Sequence, residues 1–379
     1  MNYKRVSKAA LLLVVLTSVG CEEDAKNIIG PTTPPPVEQF AFVTTTDYQT
    51  GSASVVWLDS TYTTEKDVAS IHSDAIARYF DGLIYVVNRF GADNIQILDP
   101  AKGFATARQF TVGNGADPHD IVVLRETKAY VTRYNRTDLW VVDPSTGTKT
   151  GSVDLSVFAD GDGIPEMDHL LLMGDHLFVS VQRIDRDTWR PVGMSYLAVV
   201  DVSADTLLDV TPATTGTQAI ALAATNPFSD VKVDTSTGNL YVACAGEWGT
   251  ADSGVEAVNP TTLRSGGIVL AGTTVGGDIT DVELVSAETG YAIITDASFH
   301  NVLVRFNPST GDVTATVYAP GEFVLQDIER APTGELFLTD RSVTNPGIRL
   351  YNVETGAEIT NIPIDVGLPP FQITFGVVR

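Results

Sequence analysis

From residue 39 onward the chain alternates short apolar runs with polar turns, and the runs are of two recurring kinds. One opens on an aromatic residue and continues through β-branched or small residues. Its copies are Phe42-Val43-Thr44-Thr45, Tyr85-Val86-Val87-Asn88, Tyr130-Val131-Thr132-Arg133, Phe178-Val179-Ser180-Val181, Tyr241-Val242-Ala243-Cys244, Tyr291-Ala292-Ile293-Ile294 and Phe337-Leu338-Thr339-Asp340. That composition suits strands packed against neighbours. The other kind is an alternating strand ending in Asp or Asn, often followed by Pro and Thr-Gly. Ser54-Val55-Val56-Trp57-Leu58-Asp59 is the first copy, and later ones end at Asp99, Asp143, Asp201, Asn259, Asn307 and Asn352, 40 to 58 residues apart. Seven copies at this period predict an all-β fold, a β-propeller of seven four-stranded blades.

With strands lettered A at the channel to D at the rim, the aromatic run is strand B and the Asp/Asn run is strand C. The repeat then begins on a B strand near Gln39 and ends on an A-type strand around Phe371-Gln372-Ile373-Thr374-Phe375. The phase predicts that the C-terminal strand pairs into the first blade and closes the ring, removing two free sheet edges.

The starts of the A strands align Asp74, Asp120, Asp168, Asp230, Asp281 and Asp327 at one register, with Gln372 in the seventh blade. Six carboxylates around one channel mouth cannot all stay ionised without compensation. They must accept backbone amides, hold a cation, face water or take up protons. Acceptance of loop amides is the plainer expectation. A divalent cation such as calcium, which takes hard oxygen ligands, is the candidate cofactor. His72, His119 and His169 lie near the same starts at staggered registers. The stagger argues against converging metal ligands, and strand alternation would turn His169 into the blade packing.

The loops joining B to C share that face and carry aromatics in six of seven blades: Tyr48, Phe90, Tyr134, Trp189, Trp248 and Phe299. Arg89, Arg133 and Arg341 stand among them, with Arg136, Arg183, Arg186 and Arg190 close by. Aromatic residues beside arginine suit a ligand-binding face. The two widest spacings hold three long segments, Phe158 to Asp168, Gln182 to Met194 and Asp209 to Phe228. In the first, Asp160, Asp162 and Glu166 offer an oxygen-rich set without the spacing of an EF-hand. There is no Gly-x-Ser-x-Gly, no His-Glu-x-x-His, no Gly-Lys-Ser/Thr phosphate loop and no cysteine pair.

Composition adds limits. Of 379 residues 44% are hydrophobic, enough for a large core and against a disordered chain. Asp and Glu number 47 against 24 Lys and Arg, a formal net charge of −23, which opposes nucleic acid as a partner. The first residues read as an export signal. Lys4, Arg5 and Lys8 precede an apolar stretch too short to span a bilayer, and the segment ends Thr17-Ser18-Val19-Gly20-Cys21. A small residue before a lone cysteine resembles the bacterial lipobox, which implies lipidation at Cys21. Residues 1–20 are then the signal, 21–38 the lipid anchor with acidic Glu22-Glu23-Asp24 and a Pro-rich spacer, and 39–379 the propeller. Cys244, left alone in an apolar run, is expected to be a buried, inert thiol.

The Tyr-Val-x-x runs, together with turns such as Asp143-Pro144-Ser145-Thr146-Gly147, resemble the YVTN family of seven-bladed propellers over nearly the whole mature chain. The family hosts many roles. The plan of lipobox, acidic start, spacer and seven blades is similar to that of surface lipoproteins that capture corrinoids for an outer-membrane transporter. This resemblance implies a non-enzymatic binding lipoprotein of the bacterial cell envelope, anchored to the outer membrane, with a small-molecule or protein ligand. Other propellers are lactonases, or a lyase that opens a lactone with a histidine and a divalent metal; Asp117-Pro118-His119-Asp120 would supply that histidine. An adhesive or structural surface protein is a third expectation and requires no special residues.

Overall fold

The computed structural model describes residues 38–379. The expected signal (residues 1–20), Cys21 and all of the expected spacer but Glu38 lie outside the described residues. The described residues form seven antiparallel sheets arranged as the blades of a propeller, and a two-stranded ribbon, Ile184–Asp185 with Arg190–Pro191, in a loop of blade 4. Blade 2 is regular: strand A is Ala75–Phe80, B is Leu83–Asn88, C is Asn94–Asp99 and D is Ala105–Thr111. Blades 3 and 6 repeat this plan, with A strands Pro118–Arg125 and Asp278–Ser286. In blade 5 the A strand shrinks to Lys232–Val233. In blade 7, Leu325–Arg330, Glu335–Asp340 and Gly347–Asn352 form A to C. Its outer position is held by two isolated bridges, Ile348 with Ile364 and Tyr351 with Glu358.

Burial explains why the B strands are the clearest marker. Both faces of a B strand pack against adjoining blades, so all seven residues of Thr289–Thr295 and all six of Lys128–Arg133 are buried. Such strands read as near-continuous apolar runs rather than alternating ones. The D strands face water, as Val313–Tyr318 shows. The core is divided among the interfaces between blades. Ile76, Tyr85, Val87 and Ile95 of blade 2 pack on Ile121, Val123 and Val131 of blade 3.

The Asp or Asn that ends each C strand has one job in all seven blades. Its side-chain oxygen accepts the backbone N–H two residues on, at 2.7 to 3.1 Å, for Asp59, Asp99, Asp143, Asp201, Asn259, Asn307 and Asn352 alike. These Asx turns reverse the chain into strand D or its equivalent.

The ring closes as the phase requires. Pro370–Val377 pairs antiparallel with Gln39–Thr46, with Phe42 opposite Thr374 and Val43 opposite Ile373. The C-terminal strand is therefore strand A of blade 1, and its Ile373 is buried among Val43, Phe337 and Leu350. Removing residues 370–379 would expose the edge of strand B in blade 1 and leave this cluster half-empty. The expected result is loss of soluble protein, or a fall of about 10 °C or more in thermal midpoint. A soluble truncation with the midpoint of the full chain, measured by differential scanning fluorimetry, would contradict this closure.

Candidate functional site

The A strands start, and the B–C loops lie, on one face of the ring. There the channel opens into a cup of about 180 Å³, walled by residues that include Arg78, Arg89, His119, Asp168, His169, Asp230, Asp281, Asp327 and Phe371. The six ring aspartates fall into three groups.

Three of them staple blade to blade. Asp120 accepts from the N–H of Ile121 at 2.7 Å and from Leu170 of the next blade at 2.9 Å. Asp281 does the same with Val282 at 2.8 Å and Ile328 at 2.9 Å. Asp327 accepts from Ile373 at 2.8 Å. Gln372 completes the set: its Oε1 accepts from Ala77 at 2.9 Å, which is why an amide suffices in the seventh position. Two more, Asp168 and Asp230, turn to side chains in the cup. Asp74 lies apart, paired with Arg89 and half-exposed.

Cations of the chain itself occupy the first half of the ring. Arg78, from strand A of blade 2, reaches Asp120 at 2.7 Å and Asp230 at 2.7 Å, with two bonds to each. His169 lies 2.7 Å from Asp230 by Nδ1 and 3.7 Å from Asp168 by Nε2. Ligand atoms of Asp120, His169 and Asp230 come within 4.8 Å of one another, close enough to hold a metal ion, but the guanidinium of Arg78 bonds both carboxylates. The ring is thus not a set of free calcium ligands. Burial disfavours charge on all of these groups, yet their pairing more than offsets it. The Asp120, Asp168 and Asp230 carboxyls are held below their ordinary range, and His169 is held protonated well above its own.

The second half lacks that balance. Lys232, Glu283 and Glu329 stand two residues beyond Asp230, Asp281 and Asp327, on the same side of their strands. Lys232 lies 2.5 Å from Glu329 and 3.5 Å from Glu283. Glu283 and Glu329 therefore share one ammonium, and its charge is the nearest compensation for Asp281 and Asp327 as well. Burial, reinforced by Glu329, pushes Asp281 up to about 7 and Glu283 up to about 8. Asp327 and Glu329 are also raised, by burial first.

His119 and His169 both reach Asp168, contrary to the expectation from their stagger. The pairing of strand A with strand B slips between Pro118 and Ile121 and between Met167 and Leu170. A bulge of this kind places neighbouring residues on one side, so Asp168 and His169 both face the channel rather than alternating. His119 Nδ1 lies 2.7 Å from Asp168, and its ring stacks on Tyr134 at 4.0 Å with 9° between planes. His72 stays local, against the backbone of Asp74.

Above the cup the B–C loops divide. Tyr48, Phe90, Trp189, Trp248 and Phe299 are 64, 71, 61, 36 and 58% exposed. Tyr48, Trp189 and Phe299 hold φ of 66°, 57° and 59°, a left-handed conformation that costs a bulky residue about 1 kcal/mol or more. Tyr134 is 8% exposed and belongs to the wall, its hydroxyl donating to Gln182 at 2.7 Å. Arg133 is buried under Trp140 and paired with Asp138, away from the mouth. Arg341 lies over Tyr48 at 4.7 Å and donates to the carbonyl of Pro370 at 2.9 Å. Glu166 is buried, bonded to Arg186 at 2.9 Å and to the Ile184 N–H at 3.0 Å, so it forms no joint site with Asp160 and Asp162. Cys244 is buried, and burial pushes its thiol well up, consistent with an inert role.

The raised carboxyls imply a pH dependence. A group whose folded value is raised stabilises the fold below its unfolded value and loses that contribution as pH climbs through the folded one. The thermal midpoint should fall between pH 6 and pH 9 as Asp281 and Glu283 ionise, and Glu283→Gln should flatten the fall. A midpoint independent of pH over this window would contradict the shared-ammonium arrangement.

No protein-family model matches the chain, and no curated protein sequence does. Solved structures match in fold. The periplasmic gluconolactonase PpgL of Pseudomonas aeruginosa is 13% identical over 90% of this chain and 100% of its own, with a TM-score of 0.61. A putative 6-phosphogluconolactonase from Bacteroides fragilis is 15% identical over 92% and 100%, also at 0.61. Apo AztD from Citrobacter koseri is 12% identical over 90% and 99%, at 0.53. At these identities the likeness is one of fold, and the chain is a seven-bladed β-propeller.

Proposed function

We propose that the protein is a ligand-binding lipoprotein of the bacterial cell envelope that captures an apolar or amphipathic organic molecule on the mouth of its propeller. The observation that carries this reading is the rim. Five exposed aromatic side chains come from the B–C loops of blades 1, 2, 4, 5 and 6, and three sit at strained left-handed positions. Strain and exposure together at equivalent loops suit a binding surface better than loop packing. A broad, flat ligand spans such a rim, and a corrinoid is the first candidate, handed on to an outer-membrane transporter.

The described chain enters the ring on the face opposite the cup. Gln39 starts strand B of blade 1, and a B strand runs toward the mouth, so the chain joins the ring on the opposite face.

Tryptophan fluorescence tests the reading. Cyanocobalamin, or the neutral apolar probe N-phenyl-1-naphthylamine, should bind the full chain and change the emission of Trp189 and Trp248. Trp189→Ala combined with Phe299→Ala should weaken binding about tenfold, the loss expected for a central aromatic anchor. Failure of both probes to bind, or binding untouched by the double substitution, would overturn the rim as the site.

A further inference from the structure

Of the five histidines, His119 lines the cup and is held in a way that leaves one ring nitrogen without a hydrogen-bond partner among the described residues. Its ring is fixed by the stack on Tyr134, whose other face is covered by Arg186 at 4.9 Å. Asp168 is ionised and only an acceptor, so Nδ1 carries the hydrogen and donates to it at 2.7 Å. In the neutral ring Nε2 then keeps its lone pair. The polar atom facing Nε2 is Asp117 Oδ1 at 3.9 Å, beyond hydrogen-bond range, and that oxygen accepts nothing among the described residues. Asp117 is buried and holds φ of 51° before Pro118, so its loop is strained where it flanks His119. His169 offers no such nitrogen, being drawn among Asp120, Asp168 and Asp230.

An imidazole oriented by a buried carboxylate, with its second nitrogen unpaired, is the arrangement of a general base. A donor is also present. Arg89 lines the same cup and bonds Asp74 through Nε and Nη2, leaving Nη1 without a partner among the described residues. Phe371 lies under the Arg89 guanidinium at 5.5 Å and gives the cup an apolar wall.

We infer that the cup hydrolyses an uncharged ester of the kind of molecule the rim captures. His119 Nε2 takes a proton from water as the water oxygen bonds to the ester carbonyl carbon. The carbonyl π electrons move to its oxygen, which is held at Arg89 Nη1. The intermediate then collapses, the bond from carbon to the alkoxy oxygen breaks, and the alcohol leaves with the proton from His119. One water is consumed and one acid and one alcohol are formed, with no other reactant. Asp168 is a positioning residue, fixing the tautomer. The excess of carboxyls in the cup disfavours anionic substrates.

This inference rests on the mouth being the binding face. It is tested on the full chain at pH 8 with phenyl acetate, phenyl butyrate and benzyl acetate, followed by pH-stat. The wild type should exceed the His119→Gln variant by about 100-fold in kcat, the usual size of a general-base contribution. Asp168→Asn should lower kcat with KM nearly unchanged, a split that a merely structural role would not give. Trp189→Ala should raise KM and spare kcat. A wild-type rate no higher than that of His119→Gln on all three esters would overturn the inference. Cyanocobalamin or naphthylamine binding that persists in that case would leave the rim reading intact.

Discussion

The inner strand of every blade has one edge with no strand beyond it, and the donors on that edge must be met within a narrow channel. The chain meets four of them with side chains from the preceding blade: Asp120 to Leu170, Asp281 to Ile328, Asp327 to Ile373 and Gln372 to Ala77. An unmade hydrogen bond at a buried N–H costs about 1–3 kcal/mol, so these staples hold blade to blade as well as closing the edge. Their use has a consequence. Carboxylates that satisfy backbone at the channel wall converge there, and each one not matched by a cation must take up a proton. Arg78, His169 and Lys232 answer to that electrostatic demand, and the raised carboxyls of blades 6 and 7 are what they leave unmatched.

Much of the fold was legible because it rests on local rules repeated seven times. Each Asp or Asn closing a C strand announces an Asx turn, and each aromatic run announces a strand buried on both faces. The register of the aspartate ring was legible for the same reason, and Gln372 marked its exception. The chemistry of the cup was harder to read. Lys232, Glu283 and Glu329 follow the ring aspartates by two residues, a signal present in the sequence as Asp-Val-Lys, Asp-Val-Glu and Asp-Ile-Glu. Arg78, four residues beyond Asp74, follows the same alternation. The bulges of blades 3 and 4 were not legible. Alternation alone turns His169 away from the channel, and only the slipped pairing brings it beside Asp168. Nor does sequence separate Tyr134 from its five exposed counterparts: all sit in B–C loops, and the difference is the neighbouring His119 ring that covers it.

Floor and rim carry different kinds of order. In the floor nearly every charged group is bonded within the chain, so a ligand gains little there by ion pairing and must displace existing bonds to do so. At the rim the aromatic groups are exposed, held at costly backbone conformations and free to contact a ligand. On the proposed reading, binding strength comes from apolar and stacking contact above and selectivity from the few groups below that are not fully engaged.

Those few groups are not spread evenly around the channel. Asp168 is shared by two histidines, and the two are held differently. His169 is surrounded by three carboxylates beside Arg78, so its proton is locked and its charge is part of the floor's balance. His119 makes one strong bond and presents its other nitrogen to a carboxylate too distant to claim it. The asymmetry follows from the arrangement of blades: Arg78 spans from blade 2 to blade 5 and holds Asp120 and Asp230 beside His169, while among the described residues Asp168 is the one hydrogen-bond partner of the His119 ring. A group able to exchange a proton during a reaction must be neither fully compensated nor unsupported. Within this ring, that condition places the capacity for acid–base work on blade 3, beside Arg89, and removes it from the more conspicuous cluster around His169.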